Sequence, residues 1–362
     1  MRHRYRHLDP SLIQALLAGL NLLRVFNQLL LAAGGDVNEA MDWMRYLQQQ
    51  GYIEESVDLE AFFASLEEQG MVALSADGGY MLTTSGERSL RRSSFEEVFS
   101  SLSKGGPGHH SVRSSGEGVE SLPETRPYTF GDEPHRIDST RSVHNAMMRS
   151  IDELELREDD LEVFETEHLT ACATVVAIDI SHSMILYGED RITPAKQVAL
   201  ALTELITTRY PRDYLGVVLF GDRAEQVRLS DLPYVQAGPF HTNTRGALRL
   251  SRALLNRQRQ PNKQIFLITD GKPSAIREGG QVYKNPFGLD MRIVNKTLEE
   301  VDLCRRQRIV ITTFMLATDP TLTEFVEKLT RINRGRAYFA SPYRLGEYIL
   351  ADYIKNRRRR IR

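Results

Sequence analysis

Cysteine is scarce in this chain, and long apolar runs are missing. Only two cysteines occur among the 362 residues, Cys172 and Cys304, which excludes a disulfide scaffold and a cysteine-rich zinc site.

The leucine-rich start, residues 1–35, is interrupted by polar side chains. It therefore predicts an amphipathic helix docked on the protein rather than a membrane span or a signal peptide. We expect a cytoplasmic protein with no membrane partner.

An excess of charge of one sign is also missing. Lys and Arg together number 46, and Asp and Glu 48, for a formal net charge of −2, so the whole chain has no electrostatic preference for nucleic acid.

Two catalytic signatures are absent from the sequence, the phosphate-binding loop Gly-x-x-x-x-Gly-Lys-Ser/Thr and the nucleophile elbow Gly-x-Ser-x-Gly. The sequence therefore predicts a protein that is not an enzyme.

Composition divides the chain into four parts. Residues 1–102 predict a helical region in which a hairpin and a further helix follow two helices, an order similar to the end of a winged-helix domain. Residues 103–125 are rich in glycine, serine and charge, which predicts a flexible linker. Residues 126–170 predict an acidic connecting segment. Residues 171–362 form the largest part and end in the basic tail KNRRRRIR.

The largest part alternates apolar strands with amphipathic helices. Runs such as TVVAID, GVVLF, IFLIT and IVITTF are separated by segments with helical periodicity. This alternation predicts an α/β fold with a doubly wound, mainly parallel, six-stranded sheet of Rossmann-like type, covered by helices on both faces. In such a sheet, ligands bind at the carboxyl ends of the strands, where the strand order reverses.

Oxygen-bearing side chains follow these strands at three separate places. Asp179, Ser181 and Ser183 lie in VVAIDISHSM, at the end of the first strand. Thr242 precedes a helix in FHTNTRGAL, and Asp270 follows a later strand in LITDGKPS. Oxygen ligands of these kinds suit Mg²⁺. Ser181 occupies the position where an aspartyl-phosphate enzyme needs a second acid, which argues against that chemistry.

These residues in this order resemble the metal-ion-dependent adhesion site (MIDAS) of von Willebrand factor A (VWA) domains, over about residues 171–350. The resemblance implies that Ser181 and Ser183 bind Mg²⁺ or Mn²⁺ directly. It implies that Thr242 binds directly or through water. Asp179 and Asp270 would act mainly through waters and by their charge. The open position of the metal would then bind an acidic residue of a protein partner.

A VWA domain joined to a helical region resembles bacterial relatives of the magnesium-chelatase D subunit, which work with MoxR-like AAA+ ATPases. The resemblance implies a metal-dependent protein-binding adaptor with an AAA+ ATPase partner. The alternative is a winged-helix DNA-binding protein with the VWA domain as a sensor, which the basic tail favours. Because the net charge is close to zero, we expect no nucleic-acid partner. The long segment 274–292 is expected beside the metal site, where it would shape partner choice.

Overall fold

The computed structural model describes residues 22–76, 78–104, 116–128, 137–149, 156–166, 171–188, 190–278, 281–285, 290–317, 319–340 and 345–357. The helices are α1 (Leu22–Ala32), α2 (Val37–Gln49), α3 (Leu59–Glu68), α4 (Thr84–Lys104), α5 (Ser139–Arg149), α6 (Ile192–Arg209), α7 (Thr244–Asn256), α8 (Met291–Arg306), α9 (Pro320–Asn333) and α10 (Leu345–Arg357). The strands are β1 (Val72–Leu74), β2 (Tyr80–Leu82), β3 (Gly116–Pro127), β4 (Glu162–Thr166), β5 (Cys172–Asp179), β6 (Tyr214–Phe220), β7 (Ala224–Val227), β8 (Asn262–Thr269), β9 (Ala275–Glu278), β10 (Gln281–Lys284), β11 (Ile309–Met315) and β12 (Arg336–Phe339). Within these ranges, no helix combines the length and the apolar character needed to cross a membrane.

A six-stranded sheet forms the centre of the larger domain, with the strand order β12-β11-β8-β5-β6-β7. All neighbouring strands pair in parallel except β7, which runs antiparallel to β6 at the edge. Every residue of β5 is buried, as expected for a strand covered by helices on both faces. The predicted mainly parallel, six-stranded α/β fold is therefore confirmed.

The strand order reverses at β5 and β8. From β5 the chain continues to β6 and β7 on one side, then returns to β8 and builds β11 and β12 on the other side. The connections that leave the carboxyl ends of β5 and β8 therefore run in opposite directions. The crevice between them is where a sheet of this type binds its ligands.

The N-terminal region contains helices α1 to α4 and the hairpin β1–β2, which confirms the predicted helical character. Asp36 and Asp58 each accept a hydrogen bond from a backbone N–H three residues on, so they begin α2 and α3. Gly34 and Gly35 end α1 with positive φ angles. A Cβ atom on Gly35 would lie 2.4 Å from the ring of Tyr234, so only glycine fits at this position.

The described N-terminal residues and residues 172–352 form one compact unit. Helix α4 packs along α6, and Arg91 of α4 lies 3.7 Å from Glu204 of α6. The fully buried Lys196 of α6 donates hydrogen bonds to the carbonyl oxygens of Leu31, Pro233 and Val235. A side chain of the sheet domain thus donates a hydrogen bond to a carbonyl oxygen at the carboxyl end of the first described helix, where the last carbonyls lack partners within the helix.

A second compact unit contains β3, β4 and α5. Strands β3 and β4 pair antiparallel, with Thr125 opposite Phe164. Arg149 at the end of α5 binds the buried carboxylate of Asp160 at 2.8 Å. Residues 116–125, which composition assigned to the flexible linker, belong to β3, because pairing with β4 supplies the backbone hydrogen bonds that a glycine-rich segment lacks by itself.

Candidate functional site

All five predicted site residues lie together at the carboxyl ends of β5 and β8. Asp179 is the last residue of β5, and Ser181 and Ser183 lie on the loop and 3₁₀ turn that follow it. Asp270 directly follows β8, and Thr242 lies just before α7. Parallel strands bring these separate segments to one edge of the sheet because their carboxyl ends coincide.

The three hydroxyls form a continuous hydrogen-bonded chain between the loops. The hydroxyl of Thr242 donates to Ser181 Oγ at 3.0 Å. The Oγ atoms of Ser181 and Ser183 lie 3.1 Å apart, and Ser183 donates to Asp270 Oδ1 at 2.7 Å. Each hydroxyl oxygen still has a lone pair, so the chain presents a row of neutral oxygen ligands.

Asp179 is held by its own loop and by the neighbouring strand. Its Oδ1 atom accepts the backbone N–H of Ser181 at 2.9 Å, and its Oδ2 atom accepts the hydroxyl of Thr269 at 2.6 Å. These two hydrogen bonds fix the carboxylate between β5 and β8. Thr269 was not identified from the sequence, where it reads as an ordinary residue at the end of an apolar strand.

A cation already lies beside Asp270. The guanidinium of Arg191 donates to Asp270 Oδ2 at 2.6 Å, and its side chain is only 13% exposed. Arg191 directly precedes α6, a position at which an arginine ordinarily faces solvent. Nothing in the sequence pattern distinguished it, and only the fold places it in the site.

The loop that carries Thr242 is fixed from two sides. Asp222 accepts the backbone N–H of His241 at 2.9 Å, and Ser274 Oγ accepts that of Thr242 at 3.0 Å. Asn243 accepts the N–H of Gly246 at 2.9 Å and thus begins α7. The position of His241, directly before the threonine, therefore keeps the loop in place through Asp222.

The described residues 274–278 and 281–285 of the long segment 274–292 lie beside the site. Its first part forms the hairpin β9–β10, which the sequence did not predict. The backbone N–H groups of Ser274 and Ala275 donate to the carbonyl oxygen of Thr242 at 3.0 and 3.2 Å. Lys284 of β10 binds Asp222 at 2.6 Å. The hairpin therefore supports the Thr242 loop directly.

Burial makes the two carboxylates of the site electrostatically costly. Asp179 is fully buried and Asp270 is 6% exposed. Burial, together with the charge of Asp270, raises the pKa of Asp179 to about 7. Burial also raises the pKa of Asp270, although its hydrogen bond from Ser183 and the charge of Arg191 oppose this effect. The arrangement is thus one that additional positive charge would stabilise.

Gly271 leaves space at the centre of the hydroxyl chain. A Cβ atom on this residue would lie 3.0 Å from both Ser183 Oγ and Thr242 Oγ1, and 3.8 Å from Asp179 Oδ2. The space is therefore bordered by three of the candidate ligands. Within the described ranges, no group of three His, Cys, Asp or Glu side chains could hold a metal ion, so a cation at this position would depend on the hydroxyl oxygens.

The sheet and its loops are those of a VWA domain, and a match to a protein family agrees with this. The family model for the vWA domain of Rv0959-like proteins matches residues 172–354. The model of the third domain of the same proteins matches residues 120–166, the stretch that composition divided between linker and connecting segment. The chain therefore belongs to the family of Rv0959-like proteins, within the class of VWA-domain proteins.

Individual relatives and structures are similar over different parts of the chain. The uncharacterized protein Rv0959 of Mycobacterium tuberculosis is 32% identical over 307 residues, which cover 82% of this chain and 45% of that protein. The chain thus spans a little under half of its relative. The PilB minor pilin from Streptococcus sanguinis has a TM-score of 0.42 at 14% identity, covering 55% of this chain and 64% of its own. The vWF domain of the type V pili tip protein Mfa5 from Porphyromonas gingivalis has a TM-score of 0.39 at 14% identity, covering 53% and 98%.

Proposed function

We propose that this chain is a metal-dependent protein-binding adaptor that holds Mg²⁺ or Mn²⁺ in a MIDAS. Ser181, Ser183 and Thr242 would supply the hydroxyl ligands, and Asp179 and Asp270 the charge. The observation that carries the proposal is the chain of three hydroxyls, of which Ser181 and Thr242 are buried, next to two buried carboxylates at the point where the strand order reverses.

The residues present fit a small divalent cation. Their donors are all oxygen, the ligand type that Mg²⁺ prefers. Gly271 keeps the space between Ser183 and Thr242 free of a side chain. The pKa of Asp179 is raised because its buried charge lacks sufficient compensation, and a divalent cation would supply that compensation.

The same ligand set supports an acidic partner. Three of the five side chains are neutral hydroxyls, so direct contacts would neutralise little of the charge of the cation. A carboxylate from a partner protein would therefore gain more here than at a site in which several carboxylates ligate the metal. The cation would supply a strong electrostatic attachment point for one acidic residue of that partner.

An AAA+ ATPase of the MoxR or chelatase type is the partner class we propose. Support comes from the resemblance to adaptor subunits that pair a VWA domain with a helical region, and from the lack of a phosphate-binding loop in this sequence. A cytoplasmic location belongs to the same proposal, and the two cysteines are buried and form no disulfide with each other. An increase in the ATP hydrolysis rate of a purified candidate ATPase, dependent on this chain, tests the pairing.

The alternative as a DNA-binding protein has less support. The helix before the hairpin, α3, carries Glu60, Glu67 and Glu68, which would repel phosphates. Arg91 of α4 is close to Glu204 rather than free on a basic face. DNA binding that weakens with salt and is lost on removal of residues 56–100 and the basic tail would support this alternative.

Capture of partners from the native lysate tests the adaptor function. The bait proteins are wild type, Asp179→Ala and the control Asp302→Ala, an α8 residue whose carboxylate pairs with Arg305 and Arg306 on the helix surface. We expect the same partner with wild type and Asp302→Ala in Mg²⁺, and none in EDTA or with Asp179→Ala. Mutation of acidic residues in the identified partner should then abolish its binding. Equal capture with and without EDTA would contradict the proposal.

A further inference from the structure

Arg191 lies where it can control the charge of the candidate metal site. Its guanidinium donates to Asp270 Oδ2 at 2.6 Å, while Ser183 donates to Asp270 Oδ1 at 2.7 Å. Both oxygens of Asp270 are thus engaged. The backbone N–H of Arg191 also donates to the carbonyl oxygen of Met184. One short segment therefore carries both the serine ligands and the guanidinium of Arg191.

This arrangement leaves an unusual charge balance in a buried site. With a divalent cation bound, Asp179 and Asp270 would carry two negative charges, and Arg191 supplies one positive charge that an arginine does not lose at any ordinary pH. The site with a divalent cation would thus have an excess of one positive charge. Without Arg191, the two carboxylates would balance the charge of the cation. The Asp270 side chain is fully buried, so solvent screens this excess only weakly.

We infer that Arg191 sets the balance between metal affinity and partner affinity. The guanidinium weakens binding of the cation alone, and it strengthens binding of a carboxylate once the cation is bound. This inference rests on the proposed function, because it assumes a divalent cation among Ser181, Ser183 and Thr242. It assigns to Arg191 a positioning and charge-tuning role outside the five predicted ligands.

A purely structural role for Arg191 predicts a different result. If the ion pair only stabilises the loop, its loss disorders the serine ligands and weakens metal binding. If Arg191 tunes the charge, its loss strengthens metal binding. Removal of one unit charge next to a divalent cation changes the binding constant by about tenfold or more, even at a largely water-like dielectric constant.

Mn²⁺ binding measures the effect directly. Metal-free wild type, Arg191→Met, Arg191→Lys and Arg245→Met are titrated with Mn²⁺ and followed by electron paramagnetic resonance of the free ion. The metal-saturated proteins are then titrated with acetate. Arg245 is a matched control, since it pairs with Glu278, outside the candidate ligands, and is similarly enclosed.

We expect Arg191→Met to bind Mn²⁺ about tenfold or more tightly than wild type and to bind acetate about tenfold more weakly once loaded. Arg191→Lys should stay close to wild type because it keeps the charge, and Arg245→Met should change neither affinity by more than about twofold. Circular dichroism establishes that each variant is folded.

Two results overturn the inference, and they are distinguishable. Weaker or unchanged Mn²⁺ binding by folded Arg191→Met, with normal binding by wild type, overturns the tuning role and leaves the proposed function standing. No Mn²⁺ binding by wild type overturns the proposed function and the inference together.

Discussion

Replacing Lys196 by methionine removes a fully buried ammonium group from the region where α6 meets the N-terminal helices. The Nζ atom donates to the carbonyl oxygens of Leu31, Pro233 and Val235 at 2.5, 3.2 and 3.1 Å. Burial lowers the pKa of Lys196 from 10.5 to about 8, and the charge of Asp190 opposes only part of this effect. The stability of the folded chain should therefore depend on pH through this one residue.

The direction of that dependence follows from the two pKa values. Below pH 8 both the folded and the unfolded chain hold the proton, and the buried charge costs the folded state about 3 kcal/mol. Between pH 8 and 10.5 the unfolded chain binds more protons, so the free energy of unfolding rises with pH. From about pH 7 to about pH 10, wild type should gain about 2–3 kcal/mol relative to Lys196→Met.

Urea unfolding followed by circular dichroism, at several pH values from about 7 to 10, measures this gain. Tyrosines and other lysines titrate in the same range, but their effects cancel in the difference between wild type and Lys196→Met. The variant also removes the Lys196 hydrogen bonds to three carbonyl oxygens, which adds an offset that does not change with pH. A difference in unfolding free energy that is constant across the range would refute the reasoning.

Three further predictions concern the candidate site. Gly271→Ala should lower Mg²⁺ affinity about tenfold or more in calorimetry. Its Cβ atom would lie 3.0 Å from two candidate ligands, in the space that the metal would occupy, and crowding of a tight space costs ~1–3 kcal/mol. Normal affinity in this variant would exclude the space beside Gly271 as the metal position. Thr242→Ala should weaken binding of the partner more than binding of the metal, measured by calorimetry with an identified partner, because we expect the contact of Thr242 with the metal to respond to the bound partner. A larger loss of metal affinity than of partner affinity would contradict this expectation. The purified wild-type chain should release no phosphate from ATP, and release that disappears in Asp179→Ala would contradict this.

Much of the sheet and of the site could be predicted from the sequence. Strands β5, β8 and β11 are apolar runs that are too short for helices and are flanked by turn residues, so their positions were predictable. Asp179 and Asp270 follow two of these strands. Since the carboxyl ends of parallel strands share one edge, the side chains had to lie close together once the fold class was known.

The remaining features depend on tertiary contacts that leave no local pattern. Arg191 and Lys196 look like ordinary basic residues at a helix start and within a helix, and only the packing buries them. Strand β3 is rich in glycine and acid, and forms by pairing with β4. The hairpin β9–β10 has too few apolar residues for its strands to be recognised. Its segment contacts Thr242 through the backbone N–H groups of Ser274 and Ala275 and through the hydroxyl of Ser274.

The most direct test of the central claim is a calorimetric titration of metal-free protein with Mg²⁺, for wild type and for the double variant Ser181→Ala/Ser183→Ala. The two serine hydroxyls lie 3.1 Å apart in the cluster, and their removal leaves both carboxylates in place. The account predicts one site per chain in wild type and loss of that site in the double variant. Absence of binding by wild type, or equal binding by both proteins, would contradict the account.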